Sequence, residues 1–132
     1  MNWTLEVVVV PVSDLERAKT FYAKKLNFHV DHDTQVNEQT RIIQLTPPGS
    51  GCSVVIGSGV AEMTAGSMKG LQLVVKDIHA ARAELVERGV DVSEIVVMSQ
   101  DPEPQSLDNI GFIFFSDPDG NGWAVQQISS RS

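Results

Sequence analysis

Apolar and polar positions along this chain of 132 residues follow the periods of strands and helices, and the same order of elements occurs twice. In the first half, a β-branched apolar run predicts a strand that is buried on both faces or lies at the junction of two sheets. An apolar stripe at helical spacing then predicts a helix, and three short β-rich segments predict further strands. These segments are 4–12 (strand), 14–26 (helix), and 28–33, 41–46 and 52–57 (strands).

The first predicted helix has start and stop signals at its two ends. Ser13 can cap it, and Glu16 three residues later completes a capping box. Asn27 follows the last apolar position and can adopt the left-handed conformation that ends a helix. We therefore predict that the helix runs from about Asp14 to Leu26.

The order of elements restarts after a linker of mostly small residues at 58–67. A predicted strand at 71–75 leads into a helix that opens at Asp77 and ends at Gly89. Three further segments read as strands, at 90–97, 110–115 and 123–128. The second half therefore repeats the strand, helix, strand, strand, strand order of the first.

An ungapped self-comparison supports an internal duplication. It places Val12 and Asp14 opposite Val75 and Asp77. We predict a single domain over 1–132, in which module 4–57 and module 68–128 are joined by the linker. Each module is too small for a core of its own, so the two sheets are expected to pack together around a concavity that can bind a ligand.

The composition indicates a soluble globular protein. The formal net charge of −7 and the scattered Lys and Arg residues argue against nucleic-acid binding. No apolar run approaches the roughly 20 residues that cross a bilayer, and MNWTLEVVVV lacks the basic start and the cleavage site of a signal peptide. Cys52 is the only cysteine, so no internal disulfide can form. We expect a cytoplasmic location and neither a membrane nor a nucleic-acid partner.

Three stretches of the chain carry motifs that are specific in combination and in order. They are VVVVPVSDLERAKTFYAKKLNF, GLQLVVKDIHAARAELVERGVDV and FIFFSDPDGNGWAVQQI. Together they resemble the vicinal oxygen chelate superfamily, which contains glyoxalases, bleomycin-resistance proteins and dioxygenases. The resemblance implies an α+β fold in which two tandem βαβββ modules form a U-shaped mixed sheet around a cavity. It also implies frequent dimerisation, so a homodimer is expected.

Metal-dependent members of that superfamily are similar in placing one His, Gln or Glu ligand on each of four inward-facing strands. Those positions correspond here to Val7, Val55, Gly70 and Ala124. None of them has a side chain that can bind a metal ion. A shift of one residue would substitute Glu6 or Gln126, but neighbouring side chains on a strand point to opposite faces. We therefore expect no metal site and no other cofactor.

The histidine cluster at 29–33 is a second candidate for metal binding. On a regular strand, His29, Asp31 and Asp33 share one face while His32 points to the other. The two imidazoles then cannot converge without a bulge, so a solvated strand end is the better interpretation.

The motif DPDGNG resembles the opening of a calcium-binding loop. Its twelfth position, however, is Ile128 instead of the required bidentate Glu, and its flanks are strand-like. We predict a tight turn in which Asp side chains bond backbone amides and Gly120 or Gly122 adopts a positive φ.

Aromatic residues of the later strands are candidates for lining the ligand pocket. Phe112 and Phe114 belong to the strand at 110–115. Trp123 follows a glycine-rich turn, where a rigid ring could stack on a flat ligand. The predicted ligand-binding set is Val7, Val55, Gly70, Phe112, Phe114, Trp123 and Ala124.

The resemblance and the missing metal donors favour a binding protein that sequesters a small organic molecule, with cationic aromatic molecules among the candidates. Two alternatives remain open. One is a metal-dependent lyase, isomerase or dioxygenase, which would contain a divalent ion. The other is a regulatory or assembly module whose pocket is vestigial. No catalytic residue is identified, and whether the chain is an enzyme stays open.

Overall fold

The computed structural model describes residues 1–58 and 62–131, and residues 59–61 of the predicted linker lie outside the described residues. The first half contains β1 (Val7–Val9), α1 (Leu15–Thr20), a π-helical segment (Phe21–Lys25), β2 (His29–Gln35), β3 (Arg41–Thr46) and β4 (Ser53–Ser58). The second half contains β5 (Leu71–Val75), α2 (Ile78–Glu87), β6 (Val96–Val97), β7 (Gly111–Ser116) and β8 (Gly122–Gln127).

Each half forms its own mixed sheet, and the two sheets have the same strand order. The first sheet has the order β1-β4-β3-β2, and the second has the order β5-β8-β7-β6. In both sheets the first strand pairs in parallel with the last, and the remaining pairs are antiparallel. The predicted α+β fold of two tandem βαβββ modules is therefore confirmed.

Contacts divide the chain into two compact units, here called unit 1 and unit 2. Unit 1 comprises Met1–Met68 together with Asp117–Asn121, and unit 2 comprises Lys69–Ser116 together with the chain from Gly122 onward. The turn that joins β7 to β8 therefore belongs to unit 1. Within 1–58 and 62–131, no helix is long and apolar enough to cross a membrane.

The two helices begin in the same way. Asp14 and Asp77 both have extended backbone angles, and their side chains accept the backbone N–H of Arg17 and Ala80, which lie three residues ahead. The prediction that Ser13 caps the first helix is wrong, because Asp14 occupies the cap. Ser13 instead donates two hydrogen bonds to the carboxyl group of Asp119.

The predicted extent of the first helix is confirmed, although its second half is π-helical. Leu26 ends the π-helical segment with an N–H bond to the Phe21 carbonyl, and Asn27 then adopts the left-handed conformation with φ of 60°. Gly89 does the same after α2, with φ of 79°.

Two strands are shorter than predicted. The predicted strand 4–12 is regular only over β1, because its partner β4 begins at Ser53. The predicted strand 90–97 is regular only over β6. There the Ser93 hydroxyl accepts the N–H of Phe114, which interrupts the backbone ladder between this segment and β7.

Each sheet has a helix-facing side that forms the core of its unit. In unit 1, α1 lies against β4, and buried apolar side chains occupy one side of the central strands. In unit 2, α2 lies against β7 and β8 in the same way. The core residues of the two sheets are Ile43, Leu45, Val54 and Ile56 in unit 1 and Ile113, Phe115, Trp123 and Val125 in unit 2.

The DPDGN turn is a buried polar cluster of unit 1. The two Asp117 carboxyl oxygens accept the backbone N–H groups of Asp119 and Asn121, the Asn121 side-chain amide and the Tyr22 hydroxyl, the last at 2.7 Å. Asn121 also donates to the Pro11 carbonyl and accepts the Met68 N–H.

Gly120 has φ of 97° within this turn. The predicted turn, with Asp side chains bonding backbone amides and a glycine at positive φ, is confirmed.

A second polar network links α1 to the edge of the first sheet. Arg41 binds Asp33 through two nitrogen atoms and also pairs with Glu16, while Lys19 pairs with Asp33 at 2.8 Å. The hydrogen bonds from Arg41, and then those from Lys19, hold the pKa of Asp33 well below its usual range.

We predict that Tyr22→Phe destabilises the protein by about 1–3 kcal/mol, because it removes a donor from a carboxyl group that stays buried. Urea unfolding followed by circular dichroism measures this loss. Ser13→Ala is the control, since it removes an exposed donor from the same turn and is expected to cost less than about 0.5 kcal/mol. Equal losses for the two variants would contradict the assignment of the buried bond as the stabilising one.

We also predict that Asp33→Asn lowers stability at neutral pH by about 1 kcal/mol, a value discounted for the partial exposure of this network. The folded pKa of Asp33 lies below its unfolded value of about 3.9, so its contribution is complete above that value and declines as the pH falls below it. Urea unfolding at a series of pH values should therefore show that the difference between the wild type and the variant shrinks below about pH 4. A difference that stays constant down to about pH 2 would rule this out.

Candidate functional site

Each sheet also has a distal face, defined here as the face opposite its own helix. Residues paired across a ladder point to the same side, so the strand registers assign each side chain to one face. The distal face of the second sheet carries Gln72, Val74, Val96, Phe112, Phe114, Ser116, Gly122, Ala124 and Gln126. The distal face of the first sheet carries Val7, Val9, His29, His32, Thr34, Ile42, Gln44, Thr46, Ser53, Val55 and Gly57.

Two aromatic rings dominate the distal face of the second sheet. The rings of Phe112 and Phe114 are nearly parallel, with an interplanar angle of 7° and centroids 6.1 Å apart. Both side chains are half-buried, unlike the fully packed aromatic residues of the helix-facing side. Ala124 pairs with Phe114 on the neighbouring strand, and its small side chain leaves that ring uncovered from this direction.

Trp123 lies on the opposite side of the same sheet. It is only 4 % exposed and stacks on Phe115 with an interplanar angle of 3°. Its neighbours Phe115 and Val125 belong to the core of unit 2. The ring is therefore a core residue of unit 2. It does not lie on the distal face, so it is not part of the site that is considered there.

A pair of carboxamides lies beside the aromatic rings and was missed by sequence reasoning. Gln72 Nε2 donates to Gln126 Oε1 at 2.7 Å, and Gln126 Nε2 donates to the Asn109 carbonyl at 2.8 Å. Gln126 pairs directly with Phe112 across β7 and β8. Neither LQLVV nor GWAVQQ alternates strictly between polar and apolar residues, so no pattern in the sequence places both side chains on this face.

The distal face of the first sheet has a small polar chain at one end. Ser53 and Thr46 hydroxyls lie 2.6 Å apart, and Thr46 donates to the carboxyl group of Asp31. Val7 pairs with Ser53, and Val55 lies two residues further along the same strand. Both predicted residues are thus on this face, where Val55 is buried and Val7 is half-buried.

The residues at the superfamily's metal positions do not fit a metal ion. Val7, Val55 and Ala124 lie on distal faces, but their side chains contain only hydrocarbon. Gly70 is exposed and precedes β5, so it does not lie on a strand. Among the residues that the structure describes, no group of three or more His, Cys, Asp or Glu side chains could hold a metal ion.

The predicted alternation of the histidine cluster is wrong, because a β-bulge interrupts β2 between Val30 and His32. The register pairs His29 with Thr46 and His32 with Gln44, which places both histidines on the distal face. Asp33 pairs with Ile43 and points to the helix-facing side instead.

A surface groove of about 400 Å³ runs along α1 in unit 1. Its lining comprises Glu16, Arg17, Thr20, Phe21, Lys25 and Pro118. Glu16 pairs with Arg41 and Arg17 pairs with Asp119, so these charges are already engaged within unit 1. The distal faces are therefore the better candidates for a binding site.

Comparisons with known proteins agree with this fold. Residues 4–125 match the family model of the Glyoxalase/Bleomycin resistance protein/Dioxygenase superfamily. The antibiotic binding protein TnmS3 from Streptomyces sp. CB03234 is 34 % identical with a TM-score of 0.77, over 97 % of this chain and 98 % of that chain. A glyoxalase/bleomycin resistance protein from the same organism is 35 % identical with a TM-score of 0.73, over 94 % of this chain and 100 % of that chain.

A superfamily member from Sphaerobacter thermophilus DSM 20745 is 29 % identical with a TM-score of 0.76, over 96 % of this chain and 98 % of that chain. None of the curated proteins matches. Because the family model spans nearly the whole sequence and TnmS3 aligns from end to end, the chain belongs to the Glyoxalase/Bleomycin resistance protein/Dioxygenase superfamily.

Proposed function

We propose that this protein binds and sequesters a small organic molecule without transforming it. The observation that carries the proposal is the half-buried, parallel pair of Phe112 and Phe114 on the distal face of the second sheet. A soluble protein gains stability by covering such rings, and a face that leaves two of them partly uncovered suits a flat apolar ligand.

The chemistry of the surrounding residues supports binding over catalysis. The positions where metal-dependent relatives carry ligands hold Val7, Val55, Gly70 and Ala124, and these cannot polarise a substrate. The Ser53 and Thr46 hydroxyls form a chain to Asp31, whose carboxyl group lies 4.0 Å from His29 Nε2. Among the described residues, neither hydroxyl is hydrogen-bonded to an imidazole that could act as its base. This arrangement suits hydrogen bonding to a ligand better than nucleophilic attack.

The relatives support the same class of function. TnmS3 is described as an antibiotic binding protein, and it is 34 % identical to this chain. We infer a comparable role here, in which the protein lowers the free concentration of a toxic or reactive molecule. The placement of that ligand between the two modules, the cytoplasmic location and the homodimer stay predictions.

Phe114→Ala is expected to weaken the binding of a planar aromatic ligand about tenfold, because it removes one stacking surface worth roughly 0.5–1.5 kcal/mol together with the apolar area of the ring. Fluorescence titration with three tricyclic probes, phenanthridinone, N-methylphenanthridinone and N-methylphenanthridinium, measures the dissociation constants.

Val86→Ala is the matched control, because Val86 is exposed on α2 and should leave the affinities unchanged. Circular dichroism checks that both variants are folded. If none of the three probes binds at high micromolar concentration, or if Phe114→Ala binds as tightly as the wild type, the proposed function is wrong for this ligand class.

We expect ligand binding to survive removal of metal ions, because no donor set of the described residues fits one. The protein is dialysed against EDTA, its metal content is measured by plasma mass spectrometry, and the titration is repeated. Dissociation constants should agree with those of the undialysed protein. Stoichiometric zinc, nickel, iron or manganese whose removal abolishes binding would favour the metal-dependent alternative.

A further inference from the structure

The two carboxamides on the distal face of the second sheet form an ordered hydrogen-bonding edge. The Asn109 carbonyl accepts one N–H of Gln126 and thereby orients its amide, so that Gln126 Oε1 accepts from Gln72 Nε2 at 2.7 Å. A carboxamide has two N–H donors and an oxygen with two lone pairs. Gln72 therefore still has one N–H and its carbonyl oxygen for a ligand, and its side chain is exposed.

The charge of this face distinguishes between ligand classes. None of the nine residues that the registers assign to it has an ionisable side chain. At one end, the aliphatic stem of Lys69 lies next to Gly122, since a Cβ on that glycine would meet Lys69 Cδ at 3.3 Å. Successive residues of β8 point to opposite sides of the sheet, so Gly122 faces the same side as Ala124.

A cationic ligand would therefore meet no carboxylate among these side chains. The net charge of −7 belongs to the chain as a whole and does not describe this face. A neutral ligand loses no hydration of a formal charge on binding, and the carboxamides can replace the water molecules that bound its polar edge.

We propose that the ligand is an uncharged, planar aromatic molecule whose edge carries a carbonyl and an N–H group, and that Gln72 selects this edge. The inference rests on the proposed function of the same face. Phe112 and Phe114 stack against the ring system, Gln72 Oε1 accepts the ligand N–H, and Gln72 Nε2 donates its second hydrogen to the ligand carbonyl. Gln126 acts as a positioning residue that holds the Gln72 amide in this orientation.

The same three probes test this assignment because they share one ring system and differ at the edge. Phenanthridinone has adjacent carbonyl and N–H groups, N-methylphenanthridinone lacks the N–H, and N-methylphenanthridinium is a permanent cation. The wild type should bind phenanthridinone about tenfold more tightly than it binds N-methylphenanthridinone. The difference in affinity between phenanthridinone and the cation should be larger than about tenfold.

Gln72→Leu should reduce the affinity for phenanthridinone about tenfold. It should reduce the affinity for N-methylphenanthridinone only about threefold, because that compound keeps its carbonyl but has no N–H to donate to Gln72 Oε1. Gln100→Leu is the matched control, because it replaces an exposed carboxamide in the loop after β6 and should change neither affinity. Gln72 is itself exposed, so its variant is expected to fold, and circular dichroism checks this.

The outcomes separate this inference from the proposed function. If no probe binds, both are wrong for planar aromatic ligands. If the probes bind and Phe114→Ala weakens them, but the cation binds best or Gln72→Leu affects all three equally, the proposed function stands and the assignment of a neutral, edge-selected ligand is overturned.

Discussion

The alternation of side chains along each strand, with one helix packed on one side of each sheet, determines which residues of this protein can meet a ligand. Positions that face the helices hold Ile43, Ile56 and Ile113, all fully buried. Positions on the distal faces hold half-buried residues such as Phe112 and Phe114. Because a shift of one residue exchanges the two sets, the register of β7 against β8 decides both the core of unit 2 and the composition of the proposed site.

The DPDGN turn gives that register a physical origin. The Asp117 N–H bonds the Asn121 carbonyl at 3.0 Å, and the Asp117 carboxyl group accepts the backbone N–H groups of Asp119 and Asn121. These bonds fix the number of residues in the turn. Ser116 at the end of β7 therefore pairs with Gly122 at the start of β8. Gly66 packs so closely against it that a Cβ would lie 2.0 Å from the Asp119 carbonyl oxygen, so a larger residue there would displace the turn.

Much of the fold could be predicted because it depends on local signals. Asp14 and Asp77 repeat one helix start in two modules, and the glycine and aspartate pattern of the turn has few alternative conformations. The cap was assigned to Ser13 because Ser and Asp have similar capping tendencies, and only the backbone angles distinguish them. The ends of β1 and β6 depend on where partner strands begin, which no local pattern contains.

The candidate site was less predictable, because it depends on which face each residue occupies. Phe112 and Phe114 were predicted from their type, whereas Trp123 has the same chemistry and lies in the core. The bulge in β2 reversed the expected orientation of His32, and a bulge has no unique signature in HVDHDT. Gln72 and Gln126 lie in two of the stretches that carry the family resemblance, but no spacing within those stretches relates them, and only the strand pairing reveals that they meet.

The distal face of the second sheet is, in this proposal, the ligand-binding surface for flat organic molecules. A crystal structure of the protein with phenanthridinone bound tests this most directly. We expect the ring system in stacking contact with Phe114, and its polar edge within hydrogen-bonding distance of Gln72. A ligand seated instead in the groove lined by Phe21 and Pro118, with Phe114 untouched, would contradict it.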